Sequence, residues 1–350
     1  MTLRSGDEIA FVVPGRIDQL TGGYLYDRHI VDGLRARGRA VRVIDLSRPA
    51  EGSALEALAD GTKTIVDGLA LAEHATAITA QARRLRLIAF VHGPLALEIG
   101  LPPAAAMRAV KVEARLLSRV RGIICPSNRT AAAIEGYGIP RERIAAIPPG
   151  TARPSGLPRP RRWPVRALLC VANLVPRKGH RVLVRALSRI RDLEWSLTCV
   201  GSLTRHPPTV RAVRRAIAVS GLGDRVRLVG ERPPRSVAQA YRKADAFVLP
   251  SFHEGYGMVY AEAMTYGLPV IATTAGAIPE TVPAGAGVLV PPGDEPGLAR
   301  ALRRLIREPL LAAGLAKASH AAGARLRDWR QTMEAWETAF DHLADLDRPL

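Results

Sequence analysis

A chain of 350 residues is too long for one ordinary hydrophobic core and suits two domains of similar size, and apolar residues at 47%, spread evenly, exclude a disordered polymer. The formal charge of +18 invites a nucleic-acid partner, but only five of the 50 basic residues are lysine, an arginine bias that genome composition also produces. No aromatic platform, RNP-like strand or zinc-finger spacing accompanies that charge, so no nucleic acid is expected.

The predicted elements alternate along the chain. A strand over 9–13 (IAFVV) and a helix over 26–37 lead to a strand over 40–44, with helical stretches expected from there through Arg84. A strand over 87–91, a helix over about 104–120 and a strand over 122–125 follow. This is the alternation of a parallel sheet with helices on both faces. Residues 153–164 (RPSGLPRPRRWP) hold four prolines and read as a linker. The rhythm restarts at 165–171, with further strands over 196–200, 226–229, 246–250, 270–272 and 287–290. Near the end, Trp329, Met333, Trp336 and Phe340 recur at spacings of 4, 3 and 4, an aromatic stripe on one helix face that reads as packing. Cys125, Cys170 and Cys199 fall in apolar runs without metal-ligand or CxxC spacing and read as buried thiols of a reducing cytoplasm. No apolar stretch nears the roughly 18 to 20 residues of a membrane-spanning helix, and the opening residues, with Arg4, Asp7 and Glu8, do not read as a signal peptide.

The most informative stretch is 251–273, SFHEGYGMVYAEAMTYGLPVIAT. A short buried strand runs into the turn Glu254-Gly255-Tyr256-Gly257, and Met258 opens a helix carrying Glu262 about one turn in. Glycine lets the backbone approach a ligand closely, and the first N–H groups of a helix, with the positive end of its dipole, suit a diphosphate. Either glutamate alone would fit an ordinary strand-turn-helix unit, since acids favour helix N-termini. Together they resemble the E-x(7)-E signature of the retaining glycosyltransferases of family 4.

That resemblance implies an α/β protein of GT-B architecture, two Rossmann-like domains facing across a cleft, with a C-terminal helix crossing back to the N-terminal domain. The N-terminal, acceptor-binding domain is expected over 1–153 together with a crossover helix over about 329–350, and the donor-binding domain over 165–328. In the family the second glutamate holds the nucleotide ribose and the first lies beside the donor sugar, here Glu262 and Glu254. The backbone of Gly255, Tyr256, Gly257, Met258 and Val259 would receive the diphosphate. Ala172 to Gly179 (ANLVPRKG) stands where the family usually has G-R-x-x-x-x-K-G. Lys178 matches the lysine, Asn173 replaces the usual arginine and can still donate a hydrogen bond, and Arg177 would supply the missing charge. Gly22 and Gly23 occupy the place of the family's glycine loop after the first strand, and His92, at a strand end, that of a histidine contacting the transferred sugar. Catalytic roles thus fall to His92 and Glu254.

The implied activity is transfer of a sugar from a nucleoside diphosphate sugar, UDP favoured and GDP the other choice, to an unknown hydroxyl acceptor. No DxD-type motif stands at the donor site, so no metal or other cofactor is expected. Arg108, Lys111, Arg115 and Arg119 recur at spacings of 3, 4 and 4 and form a cationic stripe, read as a solvated face with peripheral contact to an anionic membrane as the alternative. A nicotinamide dehydrogenase is disfavoured because PGRIDQLTGGY lacks G-x-G-x-x-G. The nearest rivals are an epimerase or phosphorylase of the same fold and a basic membrane- or nucleic-acid-binding protein with a vestigial sugar site.

Overall fold

The computed structural model describes residues 8–47, 54–97, 102–154 and 163–347. The middle of the expected linker, 155–162, and the last three residues of the expected crossover helix lie outside them. The chain divides into two compact units, Met1–Gly150 with Arg327–Leu350, and Thr151–Leu326.

In the first unit the order is β1 (Glu8–Val13), α1 (Gly22–Ala36), β2 (Ala40–Asp45), β3 (Lys63–Asp67), α2 (Gly68–Glu73), α3 (Ala75–Ala80), β4 (Arg86–Phe90), α4 (Pro103–Leu117), β5 (Gly122–Cys125), α5 (Asn128–Glu135) and β6 (Ile144–Ala146). The six strands form one parallel sheet in the order β2-β1-β3-β4-β5-β6. The helical stretches expected through Arg84 are corrected here, because β3 lies among them and pairs between β1 and β4 in the middle of the sheet. Its run Thr64-Ile65-Val66 is β-branched throughout and suits a pleated surface. It is short and followed by the alanine-rich segment of α2 and α3, whose helical pattern masked it. β6, three residues long, carries no period at all.

Side chains alternate across the sheet, so β1 feeds two cores. Ala10 and Val12 join β4, β5 and α5 on one face, while Ile9, Phe11 and Val13 join α1 on the other. That second face is closed by the last helix, α13 (Trp329–Asp345), which lies in the first unit as the expected return of the chain requires. A capping box starts it, with Asp328 accepting from the Gln331 amide at 2.8 Å and Gln331 accepting from the Asp328 amide at 3.0 Å. Its stripe is core: Met333, Trp336 and Phe340 are buried, and the last two rings stack at 5.3 Å. Glycines allow this approach, since a β-carbon on Gly33 would stand 2.5 Å from the Met333 sulfur, one on Gly122 2.6 Å from Leu343 Cβ and one on Gly150 2.5 Å from Trp329 Cα.

The second unit runs β7 (Ala167–Val171), α6 (His180–Ser188), β8 (Ser196–Val200), α7 (Pro207–Val219), β9 (Val226–Leu228), α8 (Pro234–Lys243), β10 (Ala246–Val248), α9 (Met258–Thr265), β11 (Val270–Thr273), α10 (Ile278–Thr281), β12 (Gly287–Val290), α11 (Glu295–Arg307) and α12 (Pro309–Arg325). Its sheet is also parallel, ordered β12-β11-β10-β7-β8-β9, around a single core. The α/β alternation read from the sequence is thus borne out in both halves. In each, the segments singled out in the sequence leave the C-terminal ends of strands, where open parallel sheets carry their ligand loops.

Candidate active site

In the second unit two loops meet. The segment after β7 carries a short 3-10 turn, Pro176–Lys178, ended by Gly179 at φ 69°. The segment after β10 carries Ser251 to Gly257. The Phe252 amide donates to the Arg177 carbonyl at 2.8 Å, and a β-carbon on Gly179 would lie only 2.1 Å from the Pro250 oxygen, so only glycine lets the two loops pack this closely.

Their contact is ionic. Lys178 Nζ donates to Glu254 Oε1 at 2.6 Å, Arg177 donates to Glu254 Oε2 at 3.1 Å and to the His253 carbonyl at 2.9 Å, and the Ser251 hydroxyl donates to Oε1 at 2.6 Å. Burial alone would raise the Glu254 carboxyl, but the charges of Lys178 and Arg177 and these hydrogen bonds outweigh it and hold the group at about 2. Burial lowers the Lys178 ammonium, an effect that Glu254 opposes. Glu254 therefore stands as a fixed anion, and its carbonyl accepts from the Ala277 amide at 2.9 Å. Gly276, at φ 53°, leaves no room there for a side chain.

Gly257, at φ 90°, is the N-cap of α9 and offers no side-chain cap to the first N–H groups, those of Met258 and Val259. A β-carbon on Gly257 would meet the Tyr260 ring at 2.5 Å. The Tyr256 carbonyl accepts from Thr281 Oγ1 at 2.6 Å, which ties the turn to α10. Glu262 lies one turn along α9, where the Tyr241 hydroxyl donates to Oε2 at 2.8 Å and burial pushes the carboxyl up to about 6. Tyr241 is itself stacked on Tyr266 at 5.2 Å. Tyr241 escaped the sequence reading because it lies 21 residues before the glutamate it serves and in no motif, whereas Ser251 opens the quoted stretch three residues before Glu254 without a role having been given to it.

Asn173 stands in the same loop after β7. Its Oδ1 accepts the Ser202 amide at 2.8 Å and the Leu174 amide donates to the Ser202 carbonyl at 3.1 Å, so Asn173 stitches the loop after β7 to that after β8. A second group assembles close by. The β7–β8 register sets Cys170 beside Cys199, and His180 Nε2 lies 3.6 Å from Cys170 Sγ, all three buried. The sequence spacing gave no sign of it.

In the first unit Thr21 caps α1, accepting from the Tyr24 amide at 3.3 Å, and Gly22 and Gly23 are its first residues. Space beside Gly22 is open, whereas a β-carbon on Gly23 would stand 3.1 Å from Cδ2 of His92. His92 Nε2 lies 2.9 Å from Asp27 Oδ1 and 3.3 Å from Asp67 Oδ2, and both aspartates are buried. Burial works against the charged imidazole, but these carboxylates overcome it and raise His92 to about 10. Asp27, raised chiefly by burial, sits at about 7. Neither aspartate was found in the sequence. Asp67 ends the strand that the helical pattern hid, and Asp27 lies inside a helix.

A profile described as "Glycosyltransferase Family 4" matches residues 65–152, and one described as "Glycosyl transferases group 1" matches residues 165–308. The D-inositol 3-phosphate glycosyltransferase of Corynebacterium jeikeium is 28% identical over 232 residues, 60% of this chain and 54% of that protein. The chain spans about half the length of that relative and of its Nocardia farcinica namesake. The GDP-mannose-dependent alpha-(1-6)-phosphatidylinositol monomannoside mannosyltransferase of Mycolicibacterium smegmatis is 30% identical over 285 residues, 75% of this chain and 69% of its own. Among solved structures, Anabaena HepE in complex with UDP and glucose superposes with a TM-score of 0.75 at 21% identity, over 97% of this chain and 99% of that one, which shows a shared GT-B fold. Two profiles in chain order and a mannosyltransferase matched over more than two thirds of its length lead to one assignment: the chain belongs to glycosyltransferase family 4.

Proposed function

We propose that the protein is a retaining glycosyltransferase that moves a sugar from a nucleoside diphosphate sugar to a hydroxyl acceptor. The observation that carries this is the meeting of Lys178, Arg177 and Glu254 beside the uncapped N-terminus of α9, with Glu262 one turn further along. Two cations and a helix terminus suit a pyrophosphate and stabilise the negative charge that grows on it as the glycosidic bond breaks. Glu262, a partly buried acceptor, suits the ribose diol, Glu254 the donor sugar, and His92 the sugar hydroxyls. Asn173 holds the phosphate loop in shape. The second unit thus takes the donor and the first the acceptor. Neutralisation by Lys178, Arg177 and backbone amides leaves no need for a metal at the diphosphate, and departure of the phosphate on the face that the acceptor enters would retain the anomeric configuration.

One relative is named for GDP-mannose and a fold neighbour holds UDP, so calorimetry with UDP, GDP and ADP, then turnover of the matching sugars, is the test. Binding of one nucleoside diphosphate and an acceptor-dependent product with the donor's anomeric configuration are expected. An inverted product, or a product formed without acceptor or only with phosphate, would instead indicate other chemistry on this fold. Because Glu262 is raised to about 6, its accepting carboxylate exists above that pH and is lost below it. Nucleotide affinity should therefore weaken by about tenfold between pH 7 and pH 5, a component absent from Glu262→Gln, whose affinity is uniformly low.

The stripe along α4 and just past its end supports a peripheral partner. Arg108, Lys111 and Arg115 on the helix and Arg119 two residues beyond it are exposed, and Met107 at 64% and Val112 at 57% exposure stand among them. Co-sedimentation with phosphatidylglycerol vesicles at low salt, lost with phosphatidylcholine or after Met107→Ser with Val112→Ser, is the expected result.

A further inference from the structure

Three groups from three separate elements converge at the end of β4. His92 follows that strand, Asp67 is the last residue of β3 and the N-cap of α2, and Asp27 lies in α1. Asp67 Oδ1 is taken up by the Leu69 amide at 2.7 Å and the Ala70 amide at 3.3 Å, which leaves Oδ2 to face the imidazole. Asp27 is fully buried, with Oδ1 on the imidazole and Oδ2 without a hydrogen-bond partner. A buried carboxylate with an unmet oxygen is costly unless a cation compensates it, and the cation in reach is the His92 ring.

The ring's orientation follows. Both carboxylates engage Nε2, and Cδ2 faces Gly23, so the edge bearing Nδ1 and Cε1 remains for the 21%-exposed side chain to present outward. Phe90, centred 4.4 Å away, and Tyr26, at 6.0 Å, wall the ring. We propose that Asp27 and Asp67 are positioning residues that act through His92, fixing its ring so that Nδ1–H is offered to the hydroxyls of the transferred sugar while their charges balance its own.

The balance matters to the chemistry. A lone imidazolium beside the sugar would oppose the positive charge that develops at the anomeric carbon as the leaving group departs. One imidazolium with two carboxylates is never net positive, so the donor hydrogen bond is retained without that opposing field. Gly23 belongs to the same arrangement, because a side chain there would push the ring away from both aspartates. This rests on the placing of His92 at the sugar in the function proposed above.

The test uses the full-length protein with 15N-labelled histidine, the His92 ring assigned by its loss in His92→Gln. The ring is expected to stay doubly protonated through about pH 8, and Asp27→Asn and Asp67→Asn each to lower its midpoint by at least about one pH unit. Asparagine at 67 can still cap α2. The other titratable groups facing the ring do not confuse the reading. Tyr24, raised to about 12 chiefly by burial, stays neutral, and the Tyr26 hydroxyl is held by the Ile147 carbonyl at 2.8 Å. With the best donor, each variant should lose about 10- to 100-fold in kcat with KM for the donor little changed. A wild-type ring that titrates like free imidazole, or variants that leave both its midpoint and kcat unmoved, would overturn the proposal. So would loss of activity to a chelator with recovery in Mn2+, which would make the three groups a cation site instead. Absence of turnover with every nucleotide sugar would count against the proposed function, while the ring titration still judges the positioning pair by itself.

Discussion

Glu254→Gln is expected to cut turnover by at least about a hundredfold while nucleoside diphosphate affinity holds or improves. The reason lies in the competition at the cations. Without ligand, Lys178 and Arg177 are both already spent on Glu254, at 2.6 Å and 3.1 Å, and a diphosphate must share them. Glutamine keeps the shape but removes the anion, so the cations turn wholly to the phosphates. The same change leaves two largely buried cations unbalanced, which costs about 3 kcal/mol of stability in the free protein. Bound nucleotide should return much of it, so the rise in Tm on adding UDP or GDP is expected to be larger in the variant than in the parent. An equal or smaller rise, or turnover near that of the parent, would show that Glu254 neither competes for Lys178 nor serves the sugar.

Gly179→Ala should be strongly damaging to the second unit. At φ 69° an L side chain is strained, and the added β-carbon would overlap the Pro250 oxygen at 2.1 Å, a backbone atom that cannot swing aside. We expect a loss of about 3 kcal/mol or more, together with loss of nucleotide binding, because the displaced loop carries Arg177 and Lys178. Gly38→Ala separates the two causes. Gly38 has φ 82° but open space around it, so strain acts there without a clash, and its cost should stay near about 1 kcal/mol. Similar denaturation midpoints for both variants would refute the close contact between the loops after β7 and β10.

Much of this was legible in the sequence, for reasons that differ by residue. The alternation of apolar runs and amphipathic stretches exposed most strands, and the Glu254–Glu262 pair is legible because one turn and one helix hold both, so their geometry is local. Lys178 and Gly179 are local in the same way. Asp27 and Asp67 are not. Each meets His92 only after β1, β3 and β4 have paired, and nothing in the 65-residue separation of Asp27 from His92 announces that three-way meeting. The register of β7 on β8 likewise decides that Cys170 faces Cys199, a fact invisible in their spacing of 29. The motif position alone sets Asn173 at the donor phosphates, and the Ser202 amide that its Oδ1 accepts is a further partner that no pattern encodes.

The placement of α13 sets an order of assembly. Phe11, Ile30 and Phe90 reach their packed state only when Trp336 and Phe340 cover them, yet those two residues are synthesised after the whole of 151–326. On the ribosome, the second unit can therefore condense while the earlier half still waits with one hydrophobic face unsealed. The N-terminal part of this polypeptide begins first and matures last, so truncations or stalled translation short of Phe340 should yield a sound donor half attached to an incomplete, aggregation-prone beginning.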